Sequence, residues 1–304
     1  PMDRVAVPLS AMGASVEGVG ERVTAPLSIR GRATLRGIDY EVPVASAQVK
    51  SSILFAALHG DGASIVRESV RTRRTTEDML ASSGVRVESV DVADGRVVTL
   101  YPGRPRANHW RVPGDPSQAA FFGVLGVIHD DADLEIVDLD ATPERIGFVQ
   151  VLLRMGADLK TEEGTSMRLR ATSSALVGVE VHASDVPSVD EVPILAVAAA
   201  AASGTSAFRD MGELRLKESD RFENSLQLVR RLGCRAWSEG DDFFVEGLAS
   251  ARRFSNFEID AGLDHRMVMA AAVAGSAGQG CVIRGASTVS SSYPGFFDDL
   301  AALS

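Results

Sequence analysis

The stretch Leu80-Ala-Ser-Ser-Gly84-Val-Arg-Val87 reads as the tail of a helix, a glycine stop and the start of a strand. Glycine suits that point because, lacking a Cβ, it takes the left-handed backbone that ends a helix without steric penalty. The pattern recurs as Leu9-Ser-Ala-Met-Gly13-Ala-Ser-Val16, Leu153-Arg-Met-Gly156-Ala-Asp-Leu159 and Arg231-Leu-Gly233-Cys-Arg-Ala-Trp237. Successive glycines lie 71, 72 and 77 residues apart. That period is too long for the common solenoids and points to duplicated globular units.

Within one period the expected order is strand, helix, strand, helix, strand, strand. One copy places strands at 41–45 and 63–68, helices at 46–59 and 75–83, and a closing hairpin at 85–90 and 97–101. Copies starting at His109 and Gly178 repeat the order, and alternation in Val179-Glu-Val-His182 and Phe243-Phe-Val-Glu246 supports half-buried strands. The helix expected over 192–202 is apolar nearly all round, which predicts burial on most sides. The first copy opens at its second helix, 3–12, and the last stops after its second helix, 293–303. Such ends leave sheet edges unpaired, so the reading is of part of a longer polypeptide, or of a fold completed by a second chain. A composition shift at 104–108 marks the expected boundary between a truncated domain, 1–107, and a nearly whole one, 108–304. The fold class is therefore α/β (α+β) with repeated βαβαββ units.

The chain has 304 residues, 45% of them hydrophobic, enough for one large or two ordinary cores. A net charge of −10 argues against nucleic acid or an acidic membrane as partner, so an anion site has to be a local basic cluster. Cys234 and Cys281 show neither metal spacing nor a disulfide framework, which fits a reducing cytoplasm. The longest apolar stretch, 192–203, is too short to span a bilayer, and no signal peptide follows the opening Pro1-Met2.

Chemistry gathers at two kinds of place. The stretch Arg215-Leu-Lys-Glu-Ser-Asp-Arg221-Phe222 puts Lys217, Glu218 and Arg221 at spacings that share one face if the helix starts there. Two cations beside a carboxylate suit an enzyme that holds an anion and moves a proton; a solvated charged face is the plainer alternative. The second kind is the start of each first helix: Ser46-Ala-Gln48, Asp115-Pro-Ser117-Gln118, Ser188-Val-Asp190-Glu191 and Asp264-His265-Arg266. Ser46, Asp115 and Ser188 read as ordinary caps, but capping leaves Gln48, His265 and Arg266 unexplained. If the copies pack by pseudo-symmetry, these N-termini converge, and their free N–H groups favour phosphate or carboxylate. Asp190, ahead of a strongly apolar helix, is a candidate base or cap. The run Arg67, Arg71, Arg73 and Arg74 reads first as a solvated face. His59, His109, His129 and His182 have no metal spacing, and no glycine-rich phosphate loop is present.

Four motifs in order, Ser46-Ala-Gln48-Val-Lys50, Val189-Asp-Glu-Val-Pro193, Lys217-Glu-Ser-Asp-Arg221 and Asp264-His-Arg266, resemble the 5-enolpyruvylshikimate-3-phosphate synthase (3-phosphoshikimate 1-carboxyvinyltransferase) family. Pro1-Met-Asp-Arg4 and Tyr293-Pro-Gly-Phe-Phe-Asp-Asp-Leu300 extend the resemblance over the whole chain, which matches about the last 70% of a family member. It implies two pseudo-threefold domains of βαβαββ units (the enolpyruvyl transferase inside-out barrel) with the site between them. The implied reaction moves an enolpyruvyl group from phosphoenolpyruvate to the 5-hydroxyl of shikimate-3-phosphate and releases phosphate, in the cytoplasm, with no metal or organic cofactor. By the same resemblance Asp190 takes the hydroxyl proton and binds that substrate, and Glu218 shuttles a proton to the methylene. Lys217 contacts shikimate-3-phosphate and stabilises developing charge. Arg221 and Arg266 clamp phosphoenolpyruvate, and His265 supports. Ser46, Ala47, Gln48 and Thr72 hold shikimate-3-phosphate. The implied partners are these small molecules only, with an N-terminal segment supplied by the same or another chain.

Three departures stand out. Ser290-Ser-Ser292 occupies the place of a family lysine, so Ser291 puts one phosphoenolpyruvate contact in question. Thr72 replaces a usual serine but keeps the hydroxyl. The family's N-terminal Lys-Ser-x-Ser-x-Arg and Gly-Asn-Ala-Gly-Thr motifs are absent, which predicts impaired turnover by this chain alone and leaves sensitivity to glyphosate, a family inhibitor, open. The rival readings are the sister transferase acting on UDP-N-acetylglucosamine, and a non-catalytic remnant that binds an anion or a partner.

Overall fold

Two units, Pro1–Arg111 and Val112–Ser304, each enclose an apolar core of their own. The computed structural model describes residues 2–164, 166–187 and 189–303, so Pro1 and the expected cap Ser188 lie outside the described residues.

The first unit begins with α1 (Asp3–Ala11) and an antiparallel hairpin of β1 (Ser15–Val19) and β2 (Thr24–Arg30). One full repeat follows: β3 (Asp39–Val42), α2 (Ala47–Ala57), β4 (Ser64–Glu68), α3 (Thr75–Ser82), β5 (Val87–Val92) and β6 (Gly95–Leu100). Its sheet runs β3-β4-β6-β5. Strands β3 and β4 are parallel because a helical crossover joins them, while the short turn between β5 and β6 makes that pair antiparallel. Val66 pairs with Val98 across β4 and β6, both fully buried against Val49, Ile53 and Leu54 of the unit's core.

The second unit holds three successive copies. The first comprises α4 (Pro116–Ile128), β7 (Asp133–Leu139), α5 (Gly147–Arg154), β8 (Asp158–Glu163) and β9 (Met167–Thr172). Its leading strand, expected from His109, is reduced to a single parallel bridge between Gly114 and Leu139. Pro113 just before that bridge has no N–H to give a ladder. The second copy, β10 (Glu180–His182), α6 (Val192–Ala201), β11 (Thr205–Arg209), α7 (Arg221–Arg231), β12 (Arg235–Glu239) and β13 (Asp242–Glu246), repeats the strand order of the first unit as β10-β11-β13-β12. The third, β14 (Phe257–Asp260), α8 (His265–Ala277), β15 (Cys281–Arg284) and α9 (Phe296–Ala301), pairs β14 with β15 in parallel. Pro294-Gly295 delays α9, which is shorter than the 293–303 expected.

Gly13, Gly84, Gly156 and Gly233 all have positive φ, at 100°, 83°, 87° and 101°, so the repeat read from them is a repeat of backbone conformation. Helices α4, α6 and α8 pack against one another at the centre of the second unit. Every residue of α6 is buried, consistent with its alanine-rich, apolar circumference. The amphipathic α7 turns Phe222, Leu226 and Val229 to the core and Arg230 and Arg231 outward, while its first residue, Arg221, is buried. No described helix is long and apolar enough to cross a membrane.

Candidate active site

The charged stretch before α7 is not the helical face its spacing predicts. A 3-10 turn over Met211–Leu216 is followed by extended Lys217, and α7 starts only at Arg221. Asp220 caps it, accepting from the Glu223 N–H at 3.0 Å, and this local bond sets the helix start downstream of Lys217 and Glu218. Both residues still reach the same centre, by folding back toward Arg221.

Arg221 is that centre. Its side chain is 1% exposed, and its guanidinium meets three carboxylates. Nε and Nη2 donate to the two oxygens of Asp264 at 2.8 and 3.2 Å, and Nη1 donates to Asp190 at 2.9 Å. Nη2 also lies 2.5 Å from Glu218. The planar fork is suited to this bidentate grip on Asp264. Asp264, fully buried, accepts further bonds from the Ser219 hydroxyl at 2.7 Å and the Arg266 N–H at 3.0 Å. Burial alone would raise its pKa, but the hydrogen bonds and charge of Arg221, with help from Ser219 and the Arg266 N–H, outweigh it and hold the carboxyl below the ordinary aspartate value.

Asp190 bridges the cations. Its carboxylate lies 3.4 Å from Arg266 Nη2 and 3.9 Å from Lys217 Nζ in addition to its bond with Arg221. Lys217 itself leans on Glu213 at 2.7 Å. The residue before Asp190, Val189, sits at φ +49°, a left-handed conformation that costs a β-branched residue of order 1–3 kcal/mol. Burial of the Val189 side chain anchors that bend, which directs Asp190 toward the arginines.

The helix N-termini of the second unit do meet. The Ser117 hydroxyl of α4 donates to Glu191, just ahead of α6, at 2.5 Å, and Asp190 links the start of α6 to Arg266 of α8. Gln118 donates to the Ser292 hydroxyl at 2.7 Å, while Ser291 bonds the carbonyl of Thr288. Glu191, in αR conformation, occupies the cap position of α6 without a side-chain cap bond. Arg145 pairs with Asp115, the cap of α4. His265, half-buried at the start of α8, is kept neutral near pH 7: burial, then the positive charges of Arg266 and Arg221, depress its pKa.

This is not the surplus of positive charge that sequence reasoning called for. Lys217, Arg221 and Arg266 face Asp190, Glu213, Glu218 and Asp264, a sum of −1. An anion binding here would have to exchange places with a carboxylate, beside three helix N-termini.

In the first unit, Ser46 caps α2 by accepting from the Val49 N–H at 3.3 Å, so its own proton is left for another acceptor. Ala47 is half-buried and Gln48 exposed, at the open end of the helix. Thr72 lies in the segment between β4 and α3 and donates its hydroxyl proton to Glu68. Of the basic run, Arg67 pairs with Asp39, Arg71 bonds the carbonyls of Gly95 and Val92, and Arg74 lies near Asp78. Arg73, half-buried beside Thr72, has no ion-pair partner among the described residues. Lys50 is buried although charged, and its position four residues from Ser46, on the face of α2 that carries Ile53, Leu54 and Ala57, is the sequence signal for that burial. Among the described residues no three His, Cys, Asp or Glu side chains group to hold a metal ion.

The chain matches the EPSP synthase (3-phosphoshikimate 1-carboxyvinyltransferase) family profile over residues 1–300. The 3-phosphoshikimate 1-carboxyvinyltransferase of Pelotomaculum thermopropionicum is 41% identical over 311 residues, spanning 99% of this chain and 70% of the relative. That of Caldicellulosiruptor bescii is 36% identical, spanning 99% and 71%. An EPSP synthase structure from Acinetobacter baumannii superimposes with a TM-score of 0.86 at 35% identity, covering all of this chain and 70% of the other. The enolpyruvyl transferase NikO from Streptomyces tendae shares the fold at a TM-score of 0.77 and 18% identity. On the profile match and the identity with these relatives over nearly its whole length, the chain belongs to the EPSP synthase (3-phosphoshikimate 1-carboxyvinyltransferase) family.

Proposed function

We infer that this protein transfers the enolpyruvyl group of phosphoenolpyruvate to the 5-hydroxyl of shikimate-3-phosphate, releasing phosphate. Family membership sets this reading above transfer to UDP-N-acetylglucosamine. The observation that carries it is the shared grip of Arg221 and Arg266 on Asp190, with Glu218 on the same guanidinium. The anionic groups of phosphoenolpyruvate compete for the N–H groups these carboxylates now occupy. Their exchange releases Asp190 and Glu218 to move protons next to a bound anion. Asp190 takes the proton of the 5-hydroxyl as that hydroxyl's oxygen bonds to the carbon bearing the phosphate, and Glu218, freed from Arg221 and protonated from solvent, gives its proton to the methylene, which becomes a methyl. Glu218 then takes a proton back from the methyl as the carbon–oxygen bond to phosphate breaks, restoring the double bond, and the proton held by Asp190 leaves with the phosphate. Lys217 steadies the charge that develops, and His265, neutral, lines the approach. Ser46, Ala47, Gln48 and Thr72 hold shikimate-3-phosphate, and Arg73, without an ion-pair partner among the described residues, adds a cation to that group. No step requires a metal or organic cofactor.

Calorimetry with shikimate-3-phosphate, followed by phosphate release on adding phosphoenolpyruvate, tests the reading. Binding weakened by Gln48→Ala and release abolished by Asp190→Ala are expected. A chain that binds shikimate-3-phosphate no better than it binds inorganic phosphate refutes it in favour of an anion-binding remnant.

A further inference from the structure

We propose, on the reading of Asp190 as the base, that Glu191 is its positioning residue: a buried hydrogen bond from Ser117 to Glu191 fixes the turn that aims the Asp190 carboxylate. Asp190 and Glu191 are the two corner residues of a tight turn, which the Val192 N–H closes on the Val189 carbonyl at 3.3 Å. Val189 and Val192 are 2% and 0% exposed, so both ends of the turn are set in the core. Between them the two carboxylates diverge. Asp190 reaches out to Arg221 and Arg266, while Glu191, 3% exposed, turns inward and accepts the Ser117 hydroxyl proton at 2.5 Å.

Apolar contacts are not directional, so the two valines fix where the turn sits but not how its corner is rolled. A hydrogen bond does have a direction, and this one comes from α4, a different helix from those that carry Arg221 and Arg266. Ser117 is itself steadied. Its N–H donates to Asp115 at 2.9 Å, and Arg145, which pairs with Asp115, has Nη2 3.4 Å from the Ser117 oxygen. Asp190 is thus held from two sides, by the arginines on its carboxylate and by α4 through its neighbour. The two holds part company when an anion takes the arginines. Asp190 then gives up its ion pairs, and the Ser117–Glu191 bond, which points the other way, is what keeps the base in place.

A ligand-free double-mutant cycle tests the positioning, with melts followed by Trp237 fluorescence. The Tm lost on Asp190→Ala reports how well the pairs with Arg221 and Arg266 are formed. That loss is expected to be at least halved in the Ser117→Ala background, although no hydrogen bond or ion pair joins Ser117 to Asp190 among the described residues. Equal losses in both backgrounds would show that Ser117 and Glu191 only join two helices, and would overturn the proposal. Glu191→Gln keeps an oxygen that accepts from Ser117, so there Asp190→Ala should cost as much as in the unaltered chain. A halved loss in that background would assign the effect to the charge of Glu191 and overturn the tether.

Phosphate release from shikimate-3-phosphate and phosphoenolpyruvate adds a kinetic readout. Small displacements of a reacting group cost rate more than binding, so Ser117→Ala is expected to lower kcat about tenfold and to move either KM less than about twofold. Ser117→Thr, which keeps the hydroxyl, should restore most of the rate. A rise in KM that matches the fall in kcat would place Ser117 in substrate binding and overturn the positioning role. Absence of release from the unaltered chain would instead sink the functional reading, and the ligand-free cycle then decides by itself whether Glu191 holds Asp190.

Discussion

Replacing Asp264 by asparagine tests the electrostatic core of the second unit. Asp264 and the Arg221 side chain are 0% and 1% exposed, so their pairing takes place where water cannot substitute for a lost partner. The carboxylate accepts four bonds, two from Arg221, one from Ser219 and one from the Arg266 N–H. An asparagine fits the space but can accept on one side only; its NH2 must face a donor on the other. Removing one partner of a buried ion pair costs about 3–5 kcal/mol, and Arg221 retains Asp190 and Glu218, which places the expected loss near the low end, ~3 kcal/mol. For a unit of this size, 112–304, each kcal/mol lowers Tm by about 2–4 °C, so a drop of roughly 6–12 °C is expected. Trp237, stacked on Phe244 within the second unit, gives a fluorescence signal for that melt. The folded pKa of Asp264 is depressed, so its stabilisation is fully present above the ordinary value of 3.8 and is lost as pH falls through the folded value. The gap between the unaltered protein and Asp264→Asn should therefore be widest at pH 5–7 and close below 3.8. A shift under 2 °C at pH 7, or a gap that does not narrow in acid, refutes the reasoning.

Two further outcomes follow from local geometry. His265 has a folded pKa below 6.5, so the unfolded chain binds the proton first and stability falls as pH drops below 6.5; His265→Gln should flatten the Tm–pH slope there, and an NMR titration giving His265 a pKa at or above 6.5 would contradict it. Gly95 has φ +127°, and a Cβ there would lie 1.7 Å from the Glu68 carbonyl oxygen. Gly95→Ala should cost the first unit about 3 kcal/mol or more by urea unfolding, and a loss below 1 kcal/mol would show that the β4–β6 register adapts.

The position of the repeats was legible because their signals are local. A glycine at the end of a helix, a capping Ser46 or Asp115, and an all-apolar α6 each act through neighbours in the chain, and each stands where the residues indicated. Local rules also misled where two of them compete. The spacing of Lys217, Glu218 and Arg221 predicts a shared helical face, but the Asp220 cap starts α7 later, and the three meet around Asp190 and Arg221 instead. The leading strand expected from His109 gave way to a single bridge beside Pro113.

The sequence by itself thus determined the βαβαββ period, the glycine stops of the helices and the residue types available for anion and proton chemistry. Only the tertiary structure decided which charges pair. Arg221 with Asp264, Ser117 with Glu191 and Lys50 with both Glu68 and Glu77 join residues that are far apart in the chain. Such partners are chosen by the packing of helices around a common centre and by the high cost of leaving a buried charge or hydroxyl unpaired there, and no local spacing records either.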